Sequence, residues 1–240
     1  MSWDKFFELH KDLPREGPGC SDDVRWAMGL AKLGPNASVA DVAAGPGGDS
    51  AALLECVPQG HVLAVDKWPG FVAQMRDRFA DLPDVTPFEG DMADIATLPG
   101  APFDGIWCAG GLYFLGLEAG LATMHDALRQ DGVLMFSEPC FFTDAPSESA
   151  IAFWDGYPTR TVADVAKAIA AAGFVLVAQR PVSDAAWEAY FQPIDERIEM
   201  LRPNADKALS EILHISAQEA AIWRAHSHET GYVLSVARKR

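Results

Sequence analysis

Three aspartates lie within or just after apolar runs in the first half of the chain, at Asp41, Asp66 and Asp91. A glycine-rich turn, Gly45–Gly48, lies between the first two and precedes apolar residues with helical spacing. A strand that turns through glycines into a helix is typical of proteins that bind nucleotide-like ligands, and an acidic residue about 20 residues later meets the ribose. The pattern therefore predicts a site for an adenosine-containing molecule, with Asp66 at the ribose hydroxyls.

The spacing of the glycines favours one kind of adenosine ligand over another. A dinucleotide fold requires a third glycine for close packing of the helix on the strand, and Ser50 stands at that position after Gly45 and Gly47. Asp41 lies inside the predicted first strand, where its charge would repel a pyrophosphate. A buried carboxylate there suits a ligand with a cationic amine, as in an amino-acid tail. Asp91 follows the third predicted strand, where it can accept the exocyclic amine of adenine.

At these residues the chain resembles the class I S-adenosylmethionine-dependent methyltransferases, and the resemblance covers almost its whole length. The segment Asp41–Gly48 is similar to the family's first motif, with Ala43 in place of the usual first glycine. The resemblance implies that S-adenosylmethionine is the cofactor and that Gly45 and Gly47 lie against it.

The same resemblance assigns further residues to the cofactor. Asp66, with its neighbour Lys67, matches the acidic position that holds both ribose hydroxyls. Asp91 matches the acidic position at the adenine amine, with the backbone N–H of Met92 beside it. Cys108 ends the fourth predicted strand, where the family binds the methionine moiety.

A glycine–proline loop, Arg15–Gly19, precedes the predicted sheet and carries one cation, Arg15. The loop can close over the cofactor so that Arg15 meets its carboxylate, or it can be a plain linker that ends a helix. Together with Gly110–Tyr113 and Ser137–Glu138, it resembles a group of bacterial small-molecule methyltransferases with an N-terminal helical cover.

Two residues are predicted on the acceptor side. Glu138 ends the fifth predicted strand, and residues at the carboxyl ends of parallel strands point into the ligand crevice. It can act as a general base or as a cation partner for the substrate, or be a structural carboxylate. Tyr113 lies in the loop after the fourth strand, where it can orient the acceptor, contact the sulfonium or simply pack.

The elements that must position these residues alternate between apolar strands and helices, which predicts a mostly parallel sheet covered on both faces. We expect an α/β Rossmann-like fold with a seven-stranded sheet and a final antiparallel strand. The predicted strands are Ser38–Ala43, His61–Asp66, Val85–Glu89, Phe103–Cys108, Gly132–Glu138, Phe174–Arg180 and Tyr232–Arg238. The predicted helices between them are Asp49–Val57, Pro69–Asp81, Leu117–Arg129 and Val162–Ala172.

The sequence also predicts where some helices begin and end, and how the chain is divided. Ser21 is expected to cap an early helix, and the helix from Val162 is expected to be capped by Thr161 and to stop at Gly173. We predict one domain over residues 1–240. Within it, residues 1–35 form a helical cover and residues 181–230 form a helical cap insertion over the carboxyl ends of the strands.

The composition limits the partners. The formal net charge of −15 disfavours nucleic acid and anionic membrane surfaces, and the basic run Arg238–Arg240 is expected to be a solvated terminus. Four widely spaced cysteines and scattered histidines show no metal-ligand spacing, so no metal site is predicted.

No signal peptide or membrane span is recognised, so we expect a cytoplasmic protein. Homodimer formation stays open.

The sequence therefore predicts a methyltransferase that moves a methyl group from S-adenosylmethionine to a small-molecule acceptor by in-line displacement. Two alternatives stay open. A non-catalytic module could bind the cofactor or its demethylated product as a sensor, and an NAD-dependent oxidoreductase is disfavoured by Asp41 and Ser50.

Overall fold

A computed structural model describes residues 2–240, in which one mixed sheet is flanked by helices. The strands are β1 (Ser38–Val42), β2 (His61–Asp66), β3 (Val85–Glu89), β4 (Phe103–Cys108), β5 (Leu128–Phe141), β6 (Arg160–Thr161), β7 (Phe174–Pro181) and β8 (Thr230–Lys239). The helices are α1 (Trp3–Leu9), α2 (Ser21–Ala31), α3 (Ser50–Cys56), α4 (Pro69–Arg78), α5 (Leu117–Ala127), α6 (Glu148–Ala152), α7 (Val162–Ala171), α8 (Asp184–Leu201) and α9 (Lys207–His226).

The order of strands across the sheet is β3-β2-β1-β4-β5-β8-β7, and the short β6 pairs with β5. β1 to β5 run parallel, whereas β8 is antiparallel to both β5 and β7. Nearly every residue of β1, β2 and β4 is buried, as expected for parallel strands with helices on both faces. The carboxyl ends of β1, β2, β4 and β5 therefore meet at one edge, which is where ligands bind in this architecture.

The predicted Rossmann-like sheet is confirmed, with differences at its ends. All seven predicted strands are present, but β5 begins earlier and ends later than predicted, and β6 was not predicted. Thr161 accepts a hydrogen bond from the backbone N–H of Asp164, and Gly173 is left-handed, as predicted. The prediction for Ser21 was wrong, because Cys20 occupies the cap position and Ser21 is the first helical residue.

The segment between β7 and β8 forms two long helices, α8 and α9, which pack on each other and on α1. Their shared core is apolar and separate from the two cores that lie on either side of the sheet. It consists of Leu9, Leu13, Ile194, Ile198, Leu209, Ile212 and Leu213. The guanidinium of Arg197 adds hydrogen bonds to the carbonyls of Glu8 and Leu9, at the end of α1. The N-terminal helix is thus held by α8 and α9.

The basic residues near the end of the chain are not all solvated, so that prediction was wrong. Arg238 donates to the carbonyl oxygen of Ala31 at 2.7 Å, and Lys239 donates to those of His125 and Leu128 at 2.6 and 2.8 Å. These carbonyls lie at the ends of α2 and α5, where helical partners run out. The two side chains therefore donate hydrogen bonds to backbone carbonyl groups that have no partner within their helices.

Candidate cofactor and acceptor site

The turn after β1 has an unusual backbone that only some residues tolerate. Ala43, Gly45 and Gly47 are all left-handed, with φ of 56°, 55° and 78°. For Ala43 this conformation costs roughly 1–2 kcal/mol relative to glycine. At Gly47 a Cβ atom would lie 2.6 Å from the ring of Phe79, so the turn requires glycine there for packing as well as for its conformation. The structure places all three predicted turn residues at the carboxyl end of β1.

Asp66 ends β2 beside this turn. Its carboxylate accepts a hydrogen bond from the backbone N–H of Gly45 at 2.9 Å and another from that of Trp68 at 2.8 Å. Burial raises the pKa of Asp66, and the two backbone hydrogen bonds partly offset that effect. Asp66 therefore fixes the turn while its carboxylate stays half-buried at the edge where the ribose is predicted.

The residues predicted at the adenine lie on the neighbouring strand. Asp66 pairs with Glu89 of β3, so the segment after β3 lies at the same edge. Asp91 there is exposed and accepts a hydrogen bond from the backbone N–H of Ala93 at 2.9 Å, and Met92 is buried. Lys67 is exposed beside Asp66.

Asp41 faces inward rather than toward an open edge. Only 3% of it is exposed, and it accepts a hydrogen bond from the hydroxyl of Ser50 at 2.6 Å. Burial, reinforced by the negative charge of Asp49, raises the pKa of Asp41 to about 8. Ser50, which distinguishes this turn from a dinucleotide fingerprint, thus serves as the hydrogen-bond donor to Asp41. The pairing of Asp41 with a cofactor amine stays a prediction.

Arg15 lies over the turn, but its guanidinium is already paired. It donates to the carboxylate of Asp49 at 2.6 Å and to the carbonyl oxygen of Gly17 at 3.1 Å. Asp49 also accepts from the indole N–H of Trp107 at 3.1 Å. Because the ion pair is almost fully buried, removing either partner would leave an uncompensated charge. The structure therefore gives Arg15 a role in holding the Arg15–Gly19 loop on the turn, and its contact with a cofactor carboxylate stays a prediction.

Glu16 lies in the same loop and was not predicted as a site residue. Unlike Arg15, it has a side-chain atom that is free to bind a ligand. Its Oε2 lies 2.6 Å from Nδ1 of His10, whereas its buried Oε1 has no hydrogen-bond partner. Its side chain lies against Gly45, where a Cβ atom would be 3.3 Å from Cγ of Glu16. Burial raises the pKa of Glu16, the hydrogen bond with His10 lowers it, and Asp66 raises it further. A buried acceptor without a donor is costly, so this oxygen is placed for a ligand donor.

The end of β4 contributes a neutral sulfur. Cys108 is fully buried, and burial followed by the charge of Asp41 raises the pKa of its thiol, which therefore stays protonated. Gly111 approaches this end of the sheet so closely that a Cβ atom would lie 2.6 Å from that of Ala43. Cys108 thus lies next to the turn, as the prediction for the methionine moiety requires.

The acceptor-side residues meet through one hydrogen bond and one aromatic contact. Tyr157, which follows α6, donates its hydroxyl to Oε1 of Glu138, and its ring lies edge-on to that of Tyr113 with centroids 5.8 Å apart. Glu138 is 2% exposed, and its Oε2 has no partner. Burial raises the pKa of Glu138 to about 7, despite the Tyr157 hydrogen bond that lowers it. Burial also raises the pKa of Tyr113 to about 12.

The residues present fit S-adenosylmethionine. An acidic side chain suited to hydroxyl donors ends β2 at Asp66, and the unpartnered Oε1 of Glu16 suits an ammonium group beside the turn. Within residues 2–240, no group of three or more His, Cys, Asp or Glu side chains is arranged to hold a metal ion. Over the same residues, no helix is both long and apolar enough to cross a membrane.

Comparisons with known proteins agree with this geometry. A family model described as a methyltransferase domain matches residues 39–132, from β1 into β5. No curated protein sequence matches the chain significantly.

Solved structures match over nearly the whole chain. A methyltransferase from Geobacter sulfurreducens in complex with S-adenosyl-L-homocysteine has a TM-score of 0.82 at 16% identity, covering 99% of this chain and 98% of that one. YjhP from E. coli has a TM-score of 0.83 at 17% identity, covering 98% and 99%. A methyltransferase from Thiobacillus denitrificans with the same ligand has a TM-score of 0.81 at 14% identity, covering 98% of both. Residues 39–132 therefore match a methyltransferase domain, and the whole chain shares the fold of these solved structures.

Proposed function

We propose that the chain methylates a small-molecule acceptor, with the roles of its site residues as follows. The observation that carries the proposal is the position of Glu138, whose unpartnered Oε2 lies near the carboxyl end of β5. That end belongs to the same sheet edge as the Gly45–Gly48 turn and Asp66. A cofactor side and an acceptor side thus share one edge, as transfer between two bound molecules requires.

Bound S-adenosylmethionine supplies a methyl group that is already activated, so the protein's main task is orientation. In our proposal, Asp66 and Lys67 hold the ribose side, Asp91 and Met92 the adenine side, and Glu16 the ammonium of the methionine moiety. Helices α1, α8 and α9 cover the edge and exclude water, which strengthens the electrostatic interactions inside.

Glu138 and Tyr113 act on the acceptor in this proposal. A carboxyl group with a pKa of about 7 can receive a proton near neutral pH, as a general base must. Tyr113 stays a neutral phenol and can donate or accept a hydrogen bond, because its pKa is about 12.

The proposal also includes the cellular compartment and the binding partners of the protein. The four cysteines are all free thiols, which suits a reducing cytoplasm. The charge of −15 disfavours a nucleic-acid acceptor. Homodimer formation stays a prediction.

Isothermal calorimetry with S-adenosylmethionine, S-adenosylhomocysteine and NAD, each titrated into the purified chain, tests the function. We expect binding of the first two in the micromolar range, about −8 kcal/mol, and no heat with NAD. Turnover in a subsequent acceptor screen separates an enzyme from a sensor. Binding of NAD alone would overturn the proposal in favour of an oxidoreductase.

We predict that Asp66→Asn weakens binding of S-adenosylhomocysteine by about 1–3 kcal/mol, because charge-assisted hydrogen bonds to the ribose become neutral ones. The amide oxygen can still accept one of the two backbone hydrogen bonds. Calorimetry measures the change, with Asp126→Asn as the control for loss of one exposed charge, since Asp126 lies on α5. Equal affinity of the two variants would remove Asp66 from the site.

We predict that Glu138→Gln lowers kcat by about 10²–10⁴-fold once an acceptor is known, because the amide cannot take a proton. The wild-type rate should rise with pH through about 7, as the carboxyl ionises, and the variant should lack that rise. Affinity for S-adenosylhomocysteine should stay unchanged. Full activity of the variant, with the same pH profile, would make Glu138 structural.

A further inference from the structure

The acceptor side of the site is lined by tyrosines and carboxylates. Tyr232 of β8 lies beside the end of β4, where a Cβ atom on Gly110 would be 3.6 Å from its hydroxyl. Tyr113 and Tyr157 lie edge to face, and Tyr157 holds Glu138. The faces of such rings attract cations. The lining therefore combines aromatic rings with negative charge.

Glu138 supplies the observation that points to a ligand. It is 2% exposed, its Oε1 accepts from Tyr157, and its Oε2 is buried without any donor. A buried carboxylate oxygen left without a partner costs more than a neutral acceptor does. A donor that carries positive charge would offset that cost best.

Glu219 on α9 adds a second carboxylate near these tyrosines. It directly precedes Ala220, which packs in one hydrophobic cluster with Tyr113, Tyr190 and Tyr232. The side chain of Glu219 is exposed, and surrounding protein raises the pKa of its carboxyl. In agreement with that position, the negative charges of Glu219 and Glu138 both raise the pKa values of Tyr113 and Tyr232. Both carboxylates therefore lie near the same group of tyrosines.

The cations near these carboxylates already have other partners. Arg160, whose charge reaches Glu138, is paired with Glu118. His10 is hydrogen-bonded to Glu16 and carries a charge only when protonated. Where both carboxylates are ionised, one sulfonium from the cofactor balances only one of them, and a second cation would balance the other.

We propose that the acceptor is an amine that enters as its ammonium ion, with Glu138 receiving its proton and Glu219 attracting its charge. This rests on the methyl transfer proposed above. It deepens that proposal by naming the acceptor class, which a carboxylate or phosphate compound does not fit because both carboxylates would repel it.

The step balances in atoms and charge. The ammonium gives one proton to Oε2 of Glu138, which leaves a neutral amine with a free electron pair on nitrogen. That pair forms the new N–C bond while the S–C bond of the methyl donor breaks and its electron pair stays on sulfur. The product is the methylated ammonium ion, and the proton on Glu138 then passes to water.

Calorimetry on the chain saturated with S-adenosylhomocysteine tests the acceptor class without turnover. The probes are phenethylamine and other arylalkylamines and alkylamines, each matched with the corresponding alcohol and carboxylate. We expect at least one amine to bind about tenfold or more tightly than its alcohol, and the carboxylates not to bind.

Variants assign that binding to the two glutamates. Glu138→Gln and Glu219→Gln should each weaken the best amine about tenfold or more while the affinity for S-adenosylhomocysteine stays unchanged. Glu211→Gln is the matched control, since it removes the same charge from an exposed position of α9. Glu219 is itself exposed, so its variant does not depend on repacking a core.

The outcomes separate this proposal from the preceding one. Alcohols that bind as tightly as amines, no amine that binds, or unchanged amine affinity in both variants would each overturn the amine proposal. Failure of S-adenosylhomocysteine itself to bind would instead overturn the proposed methyl transfer.

Discussion

Replacing Trp187 with alanine should lower the free energy of unfolding by about 3–5 kcal/mol, as expected for a large buried aromatic side chain. Trp187 on α8 is 3% exposed and stacks on Trp223 of α9 and Tyr232 of β8, with ring centroids 4.9 and 5.2 Å away. Phe191 lies 5.7 Å away on the next turn of α8. One side chain thus joins both long helices to the sheet, and its removal would leave a cavity between three elements.

Urea denaturation followed by circular dichroism measures this change. Trp3→Ala is the control for removal of an indole, because Trp3 is 62% exposed and its loss should change stability by less than about 1 kcal/mol. A loss below about 1 kcal/mol for Trp187→Ala would show that α8 and α9 are not stabilised through this contact.

Asp41→Asn should raise stability at alkaline pH and remove a pH dependence. The pKa of Asp41 is about 8 in the folded chain, well above its usual value of about 3.9. The folded state therefore holds this proton more tightly than the unfolded state. The resulting stabilisation is complete below about pH 4 and is lost as the pH rises through about 8.

The wild-type chain should lose about 3 kcal/mol from this group between about pH 6 and about pH 9, whereas the variant should not. Asparagine resembles the protonated carboxyl and can still accept the hydrogen bond from Ser50. The measurement is urea denaturation across that range, with Asp126→Asn as the control. Parallel curves for Asp41→Asn and the wild type would contradict burial of a protonated Asp41.

Most of the sheet was predictable because its strands are short apolar runs bounded by turn residues. β6 was not, because the two residues Arg160–Thr161 carry no hydrophobic pattern and pair with β5 only through tertiary contact. β5 extends into the polar residues Arg129–Asp131 for a related reason. Hydrogen bonds to neighbouring strands, rather than alternation in the sequence, decide where such strands begin and end.

The site could be predicted where position along a strand determines it. Asp66 ends β2 and Glu138 lies three residues before the end of β5, and parallel strands bring those ends to one edge. The partner of Glu138 was not predictable, because Tyr157 reaches it from a segment whose path the sequence does not determine. The pairing of Arg15 with Asp49 was missed for the same reason, since the two are close only after the N-terminal loop folds over the turn.

The position of β8 has a consequence for biosynthesis. β8 lies between β5 and β7, so the sheet stays divided until residues 230–239 have been made and have cleared the ribosome. At about 5–20 residues per second, a nascent chain therefore exposes the edge of β5 for several seconds after β5 itself has emerged. An open edge of apolar strands invites pairing with other chains. We therefore expect the unfinished protein to be most prone to aggregation during that interval.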